Sequence, residues 1–133
     1  MSISAAIRAI LIADSTVLGL VGQKIYPGLI PDSYDMPAIS FERDDDQRHQ
    51  GLSGYLGGSE ATYAVSCWSG DYDEAESVGD AVILALEDYS GTSASVAIQH
   101  IHIIDSDDEI HRAPANQPLT RYGRIVTIGV FIK

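Results

Sequence analysis

The feature that most constrains the fold is a change of hydrophobic period near residue 71. The side chains of residues 60–69 alternate with a period of two, so that one set falls on each face of a strand. This pattern is typical of a half-buried strand. Residues 71–89 then repeat apolar side chains at helical spacing. Asp71, with Glu74 three residues later, has the layout of a helix capping box. A strand that leads directly into an amphipathic helix predicts a helix packed on a sheet.

Four more segments complete the predicted architecture. An amphipathic helix is expected over residues 2–13, and alternation predicts strands over residues 38–43, 95–105 and 121–133. Prolines and glycines between residues 22 and 37 indicate an irregular connection. A length of 133 residues fits one domain. The sequence therefore predicts a single α+β domain in the order α-β-β-α-β-β, with a mostly antiparallel four-stranded sheet and helices packed on one face.

Two segments break these patterns and are predicted to be long loops. Residues 44–59 combine an acidic triplet with four glycines, and residues 106–118 are acidic and then contain two prolines. Long loops in a compact domain are usually functional, and unpaired sheet edges invite a neighbouring chain. We therefore expect subunit contacts at these loops and edges. The residues expected there are Arg43, Asp44, Asp45, Asp46, Arg48, His49, Leu52, Tyr55, Asp107, Asp108, Glu109, His111, Arg112 and Arg121.

The charge balance disfavours several classes of partner. Eight Lys and Arg against 19 Asp and Glu give a net charge of -11. DNA and anionic membrane surfaces are themselves negative, so we expect specific binding to neither. No apolar run approaches the ~20 residues of a membrane span, and the first residues lack the layout of a signal peptide. The single cysteine, Cys67, excludes an internal disulfide framework, and a soluble protein made in the cytoplasm is expected.

Histidines form the best candidate for a ligand site. His100 and His102 lie two residues apart on one predicted strand and should point to the same face, and His111 follows among carboxylates. Such a group could hold a transition metal, although nothing in the spacing fixes a third ligand. Neither acidic run has EF-hand spacing, and no nucleophile motif is present. Cys67 lies in the middle of a strand. We therefore expect no enzyme and no cofactor.

The order of several short motifs resembles a known family. The motifs are Ile7-Arg8-Ala9-Ile10-Leu11, Val17-Leu18-Gly19-Leu20-Val21-Gly22, Lys24-Ile25-Tyr26-Pro27, Met36-Pro37-Ala38-Ile39-Ser40-Phe41, the strand at residues 63–68, Tyr72-Asp73-Glu74-Ala75 directly behind it, and the closing strand at residues 122–132. Their succession resembles the tail-completion proteins of long-tailed bacteriophages, which are also called tail terminators or head–tail joining proteins.

The resemblance implies a structural virion protein without catalytic residues. Members of that family form a ring, here expected to be a hexamer, that caps the tail tube and stops its polymerisation. The expected partners are other copies of this chain, the major tail tube protein and the head–tail connector or stopper protein. The implied location is the tail–neck junction of the virion, after assembly in the host cytoplasm.

Within such a ring, DNA is expected to pass without specific binding. Acidic side chains would then repel DNA from the wall of the channel. The candidates for this lumen are Asp44, Asp45, Asp46, Asp105, Asp107, Asp108 and Glu109. Two alternatives remain open from the sequence. One is another neck or connector adaptor of the virion, and the other is a metal- or ligand-binding regulatory domain that uses His100, His102 and His111.

Overall fold

Two long β-hairpins form the centre of the protein in the computed structural model. The structure describes residues 3–28, 37–51, 54–111 and 121–132, without the side chains of residues 44–51, 54–59 and 111. The elements in chain order are α1 (Ile3–Ala13), α2 (Ser15–Val21), β1 (Ile25–Pro27), β2 (Ala38–Gly51), β3 (Gly54–Ser69), α3 (Tyr72–Leu86), β4 (Gly91–Ser93), β5 (Val96–His111) and β6 (Arg121–Ile132).

The strands form one curled, mixed sheet of six strands in the order β1-β2-β3-β6-β5-β4. Only β1 and β2 are parallel, and the other neighbouring pairs are antiparallel. The predicted α+β class is confirmed, but the predicted number of four strands is wrong. The two additional strands, β1 and β4, contain three residues each. That is too short for an alternating pattern to be recognised, and β1 lies in the segment that was expected to be irregular.

The prediction of two long loops is also wrong for most of their residues. Strand β2 continues through residues 44–51 and β3 begins at Gly54, so the first segment is a hairpin whose residues 52–53 lie outside the described chain. Strand β5 continues through residues 106–111, and residues 112–118 are not described. Register shifts occur between Arg43 and Asp45 and between Ile103 and Asp105. Because a shift interrupts the period of two where each acidic run begins, the continuing strand was not visible in the sequence.

The helices cover one face of the sheet, and the core lies between them. Alternate residues of the central strands point into this core, among them Val65 of β3 and Ile128 of β6, which are fully buried. The helices contribute their apolar faces, including Ile7 and Leu11 of α1 and Val82 of α3. This arrangement follows from period two in the strands and period 3.6 in the helices.

Helix α3 has the predicted N-cap residue, Asp71, but not the predicted capping hydrogen bond. The side chain of Asp71 makes no capping hydrogen bond. Instead, the Ser69 hydroxyl accepts a hydrogen bond from the Asp71 backbone N–H at 3.0 Å and donates one to Glu74 at 2.6 Å. The predicted capping box is therefore not formed by the Asp71 side chain, and Ser69 links the N-cap residue to Glu74 instead.

The two N-terminal helices form a bent pair. Asp14 caps α2 by accepting hydrogen bonds from the backbone N–H groups of Thr16 and Val17, both at 3.0 Å. Among the described residues, no single helix is long and apolar enough to cross a membrane. Helices α1 and α2 reach that length and composition only together, across a bend of 89°. Their apolar residues belong to the core, which accounts for their hydropathy.

Candidate interaction surfaces

The face of the sheet opposite the helices carries aromatic rings above glycines. We call it the helix-free face, since no described helix packs on it. The Trp68 ring lies over Gly123, where an added Cβ would be 2.7 Å from the ring carbon Cζ3. The His102 ring lies in the same way over Gly129 and stacks on Phe131 with ring centroids 5.3 Å apart. Glycine in a strand often marks such a close approach, so the glycines of β6 were the signal that the sequence analysis missed.

The predicted histidine pair lies on this face. The rings of His100 and His102 are nearly parallel, with centroids 6.2 Å apart and an interplanar angle of 5°. The Nε2 atom of His100 lies 3.8 Å from the carboxylate of Asp88 at the surface. Within the ranges that the structure describes, no three His, Cys, Asp or Glu side chains are grouped to hold a metal ion, and the His111 side chain lies outside them. The described geometry therefore gives the metal-site alternative no third ligand.

The acidic side chains of β5 point to two different sides of the sheet. Asp105, Asp107 and Glu109 pair with residues of β6 that point to the helix-free face. Asp108 points to the opposite side, where the Tyr72 hydroxyl donates a hydrogen bond to it at 2.7 Å. Three of the predicted acidic residues are thus on one surface, and the structure separates Asp108 from them.

The carboxylates of this run lie close together, and their proximity shifts pKa values. A hydrogen bond that the protonated Asp107 carboxyl donates to the neighbouring Asp105, together with repulsion between the carboxylates, raises the pKa of Asp107 above its usual range. Hydrogen bonds to the carboxylates of Asp108 and Glu76 raise the pKa of Tyr72 well above its ordinary value. Repulsion among the carboxylates of Asp105, Asp107 and Asp108 is thus a feature of this part of β5.

Exposed apolar side chains accompany these acids. Ile104 and Ile110 of β5 are 49% and 53% exposed, and Tyr72 beside them is 38% exposed. Among the side chains that the structure describes, the other exposed large apolar ones are Leu18 and Leu84 on the helices. Apolar groups with a charged rim are typical of contact surfaces between proteins. The outer side of β5 therefore combines both features of an interface.

The first hairpin, at the opposite side of the sheet, holds most of the other predicted contact residues. Arg43 is exposed where β2 changes register, and Arg121 is exposed at the start of β6. Strands β3 and β6 separate β2 from β5. Hence the acidic run of β2 and the acidic run of β5, which were predicted to share one surface, lie at opposite sides of the sheet. Asp44, Asp45, Asp46, Arg48, His49 and Tyr55 lie on strands with side chains outside the description, His111 ends β5, and Leu52 and Arg112 are outside the described residues.

The interior offers no activated nucleophile among the described residues. Burial raises the pKa of the Cys67 thiol to about 12, although the charge of Arg124 opposes this shift. The thiol is therefore protonated at neutral pH and packed in the core. A shallow cleft of about 480 Å³ lies between α1 and β4, lined by small side chains such as Ala9, Ala13 and Ala94. This cleft is an open groove at the surface of the protein.

Comparison with known families identifies the chain. The sequence profile of tail completion protein gp17 matches residues 5–118. The chain belongs to the tail completion protein gp17 family. This match confirms the resemblance proposed from the motifs and identifies the chain as a structural component of a phage-type virion. No curated protein sequence matches the chain.

A solved structure supports the fold of this family member. The chain is similar to a chain in the virion of a native gene transfer agent (GTA) particle, with a TM-score of 0.76 and 17% sequence identity. The alignment covers 99% of this chain and 96% of the other. At this level of identity the likeness establishes the shared fold.

Proposed function

We propose that this tail completion protein is a tail terminator. Copies of the chain form a ring, of six subunits, at the end of the tail tube. The ring stops tube polymerisation and presents a joining surface to the head connector at the tail–neck junction. Its partners are thus other copies of itself, the major tail tube protein and the connector or stopper protein. Family membership supports the virion role, and the open edges of the sheet support the ring.

The open edges are the observation that carries the ring. Strand β1 pairs with β2 only along Ile39–Phe41, and β4 pairs with β5 only along Val96–Ile98. Along the rest of their outer sides, β2 and β5 have no neighbouring strand within the described residues. Two different contact surfaces on opposite sides of one subunit permit a head-to-tail arrangement, which closes into a ring when the rotation fits. A single open edge would favour a symmetric dimer instead.

The first hairpin is suited to reach beyond the ring. Ser59 is paired with Ile132 near the end of β6, so residues 49–51 and 54–58 continue past the last residue of that strand. The described tip is therefore a two-stranded ribbon that projects from the sheet. In this proposal the ribbon contacts the tail tube.

The role proposed here is structural and not catalytic. Cys67 is buried and protonated, so its thiol is not available as a nucleophile. Six copies would carry about -66 in formal charge before counterions screen it. Such a ring would let DNA pass without holding it. Asp105, Asp107 and Glu109 share one surface and remain the candidates for a repelling lumen, with the acidic triplet of β2 as a second candidate.

Removal of the projecting ribbon tests this function. In the variant, residues 48–59 are replaced by Asn-Gly, so that Gln47 and Glu60, which are paired in the structure, flank a tight turn. The pairing of β3 with β6 from Glu60 onward is retained. We expect a folded protein that no longer limits the length of tubes assembled from the tail tube protein of the same genome, measured by electron microscopy.

Two controls make this experiment decisive. Leu84→Ala, at an 82% exposed position on α3, should limit tube length as the wild type does. Circular dichroism should give the same secondary structure for both variants. A shortened hairpin that limits tube length normally would contradict the role of the ribbon. A wild-type protein that never reaches tube ends, but binds only the connector, would contradict the terminator role and favour a neck adaptor.

A further inference from the structure

The end of the sheet farthest from the ribbon carries an exposed group of aromatic and apolar side chains. Tyr122 of β6 pairs with Ser69 on one side and with Ile110 on the other. Ile110 is 53% exposed, and Tyr72, the first residue of α3, is 38% exposed. The Tyr72 and Tyr122 rings pack edge to face, with centroids 5.9 Å apart. Helix α3 begins here and extends toward the other end of the sheet, so this end is left at the margin of its cover.

Two carboxylates beside these rings share one proton donor. The Tyr72 hydroxyl donates a hydrogen bond to Asp108 at 2.7 Å and lies 3.0 Å from the carboxylate of Glu76. A phenol has a single proton, so it donates to only one of them at a time. Arg124 lies 3.6 Å from Glu76 and 3.8 Å from Asp80. Within the described part of the chain, this group thus has three carboxylates and one guanidinium, and it keeps both negative charge and acceptor capacity for a further cationic donor.

This group and the ribbon lie at opposite ends of the strands. The ribbon continues past the row in which Ser59 pairs with Ile132, whereas the group lies at the row in which Ser69 pairs with Tyr122. These rows are the two ends of β6, separated by about 30 Å at the rise of an extended strand. A subunit whose ribbon reaches the tail tube therefore presents the other row on the opposite side of the ring, toward the head.

We infer that this end of the subunit is the joining surface, and that it binds a basic and partly apolar segment of the head connector. The surface, here called the joining patch, consists of Tyr72, Glu76, Asp108, Ile110 and Tyr122. A lysine or arginine side chain of the connector would donate hydrogen bonds to the Asp108 and Glu76 carboxylates and lie against the Tyr72 ring, since aromatic rings attract cations. Apolar side chains of the same segment would cover Ile110. This inference rests on the proposed function and assigns residues to its joining surface.

Charge favours a partner other than a second copy of this chain. Residues 71–111, which include most of the joining patch, contain eleven of the 19 acidic residues and neither Lys nor Arg. The whole chain has eight basic residues and a net charge of -11, so another copy brings more negative than positive charge. Complementary potentials across an interface steer the partners together and fix their orientation. A basic connector segment supplies the charge that is scarce on another copy.

Removal of one charge and one apolar group from the joining patch tests the contact. The test variant is Asp108→Asn with Ile110→Ser. The control variant, Glu87→Gln with Leu84→Ser, makes equivalent changes at exposed positions at the far end of α3. Asp108→Asn alone is a milder variant, because asparagine still accepts the hydrogen bond from Tyr72, and it decides the question if the double change impairs folding. Circular dichroism and thermal unfolding verify the fold of each chain.

Two kinds of measurement separate this inference from the terminator role. Each variant is expressed from a plasmid in cells that make all other virion proteins of the same genome. Electron microscopy then gives the lengths of the tails and the fraction of tails joined to heads. Binding of each purified chain to the purified connector is measured at low and high salt, and light scattering gives the oligomeric state.

The test variant should make tails of normal length that fail to join heads. We expect the joined fraction and the affinity for the connector to fall at least about tenfold, because a few central residues carry most of the affinity of an interface. Asp108→Asn alone should lower the affinity about threefold at low salt, as is typical of an exposed ion pair. At high salt its effect should nearly vanish, since exposed charges are screened. The control variant should match the wild type in every readout.

Three outcomes would overturn the inference. Normal joining and normal connector binding by the folded test variant would refute the joining patch and leave the terminator role intact. A test variant that loses length control but still binds the connector would assign the patch to the tail tube protein. A test variant that no longer assembles, with connector binding unchanged, would assign it to contacts between copies. Wild-type tails of variable length would instead refute the terminator role, whereas weaker connector binding by the test variant would still support the patch.

Discussion

Ile128 and Ile125 lie three residues apart on β6 but on opposite faces of the sheet. Ile128 points to the helices and is fully buried, whereas Ile125 points to the helix-free face and remains partly exposed. The same contrast runs across β3, where Cys67 is buried and Trp68 lies half-exposed over Gly123. The first face holds the fold together by burial of aliphatic side chains. The second carries aromatic rings over glycines, which a neighbouring subunit could contact.

Thiol chemistry should show the largest difference between the two faces. Cys67 on the helix-covered face should react with a disulfide reagent at pH 8 at least about a thousandfold more slowly than a free thiol, because its pKa is raised to about 12 by burial. In a Cys67→Ala background, Ser66→Cys on the helix-free face should react much faster. Absorbance of the released thiolate measures both rates. Equal rates in the folded protein would contradict the contrast.

Truncation of isoleucine should also separate the faces. Ile128→Ala should lower the free energy of unfolding by about 2–5 kcal/mol, because a fully buried side chain leaves a cavity. Ile125→Ala should cost less, about 1 kcal/mol, because part of the side chain is already exposed in the folded protein. Urea denaturation of both variants provides the measurement. A larger loss for Ile125→Ala would mean that the helix-free face is the true core of the subunit.

Glycine substitution tests the packing of the helix-free face itself. In Gly129→Ala the new methyl group would collide with the His102 ring and should cost about 1–3 kcal/mol in stability. His102→Ala in the same chain should remove most of that penalty, because the colliding ring is gone. Denaturation of the two single variants and the double variant gives the coupling energy. Additive effects would show that the ring does not rest on Gly129.

The smallest expected effect concerns charge on the helix-free face. The folded-state pKa of Asp107 is raised, so its contribution to stability is present below the unfolded pKa and is lost as pH rises through the folded pKa. Asp107→Asn should therefore stabilise the protein at neutral pH, and the gain should shrink as the pH falls toward 4. Thermal unfolding across this pH range measures it.

A matched substitution on α3 should have the opposite sign. Asp73 lies in the first turn of this helix, where a negative charge interacts favourably with the helix dipole. Asp73→Asn should consequently destabilise the protein at neutral pH. A destabilising Asp107→Asn at neutral pH would show that the β5 acids do not repel one another in the subunit.

The sequence predicted the parts of the fold whose side chains are buried. Helices α1 and α3 and the inner halves of β2, β3, β5 and β6 carry clear periods because their apolar residues face one core. The outer halves of the hairpins were predicted as loops, because the register shifts after Arg43 and Ile103 interrupt the period and acidic residues have low strand propensity. Strands of three residues are too short to show any period.

The surface was predicted less completely than the fold. Asp105, Asp107 and Glu109 were expected at a contact surface, and the structure groups them on one face, but their role there is still a prediction. Alternation alone would have separated Asp108 from them if the strand had been recognised. The rings over Gly123 and Gly129 could have been suspected from glycines in an alternating strand.

The length distribution of tails is the most direct test of the central claim. Tails are measured by electron microscopy in cells that make all virion proteins of the same genome, with and without this chain. A tail terminator predicts that tails without it are longer, variable in length and not joined to heads, and that expression of the chain from a plasmid restores uniform tails with heads. Tails of normal length joined to heads in its absence would contradict the account.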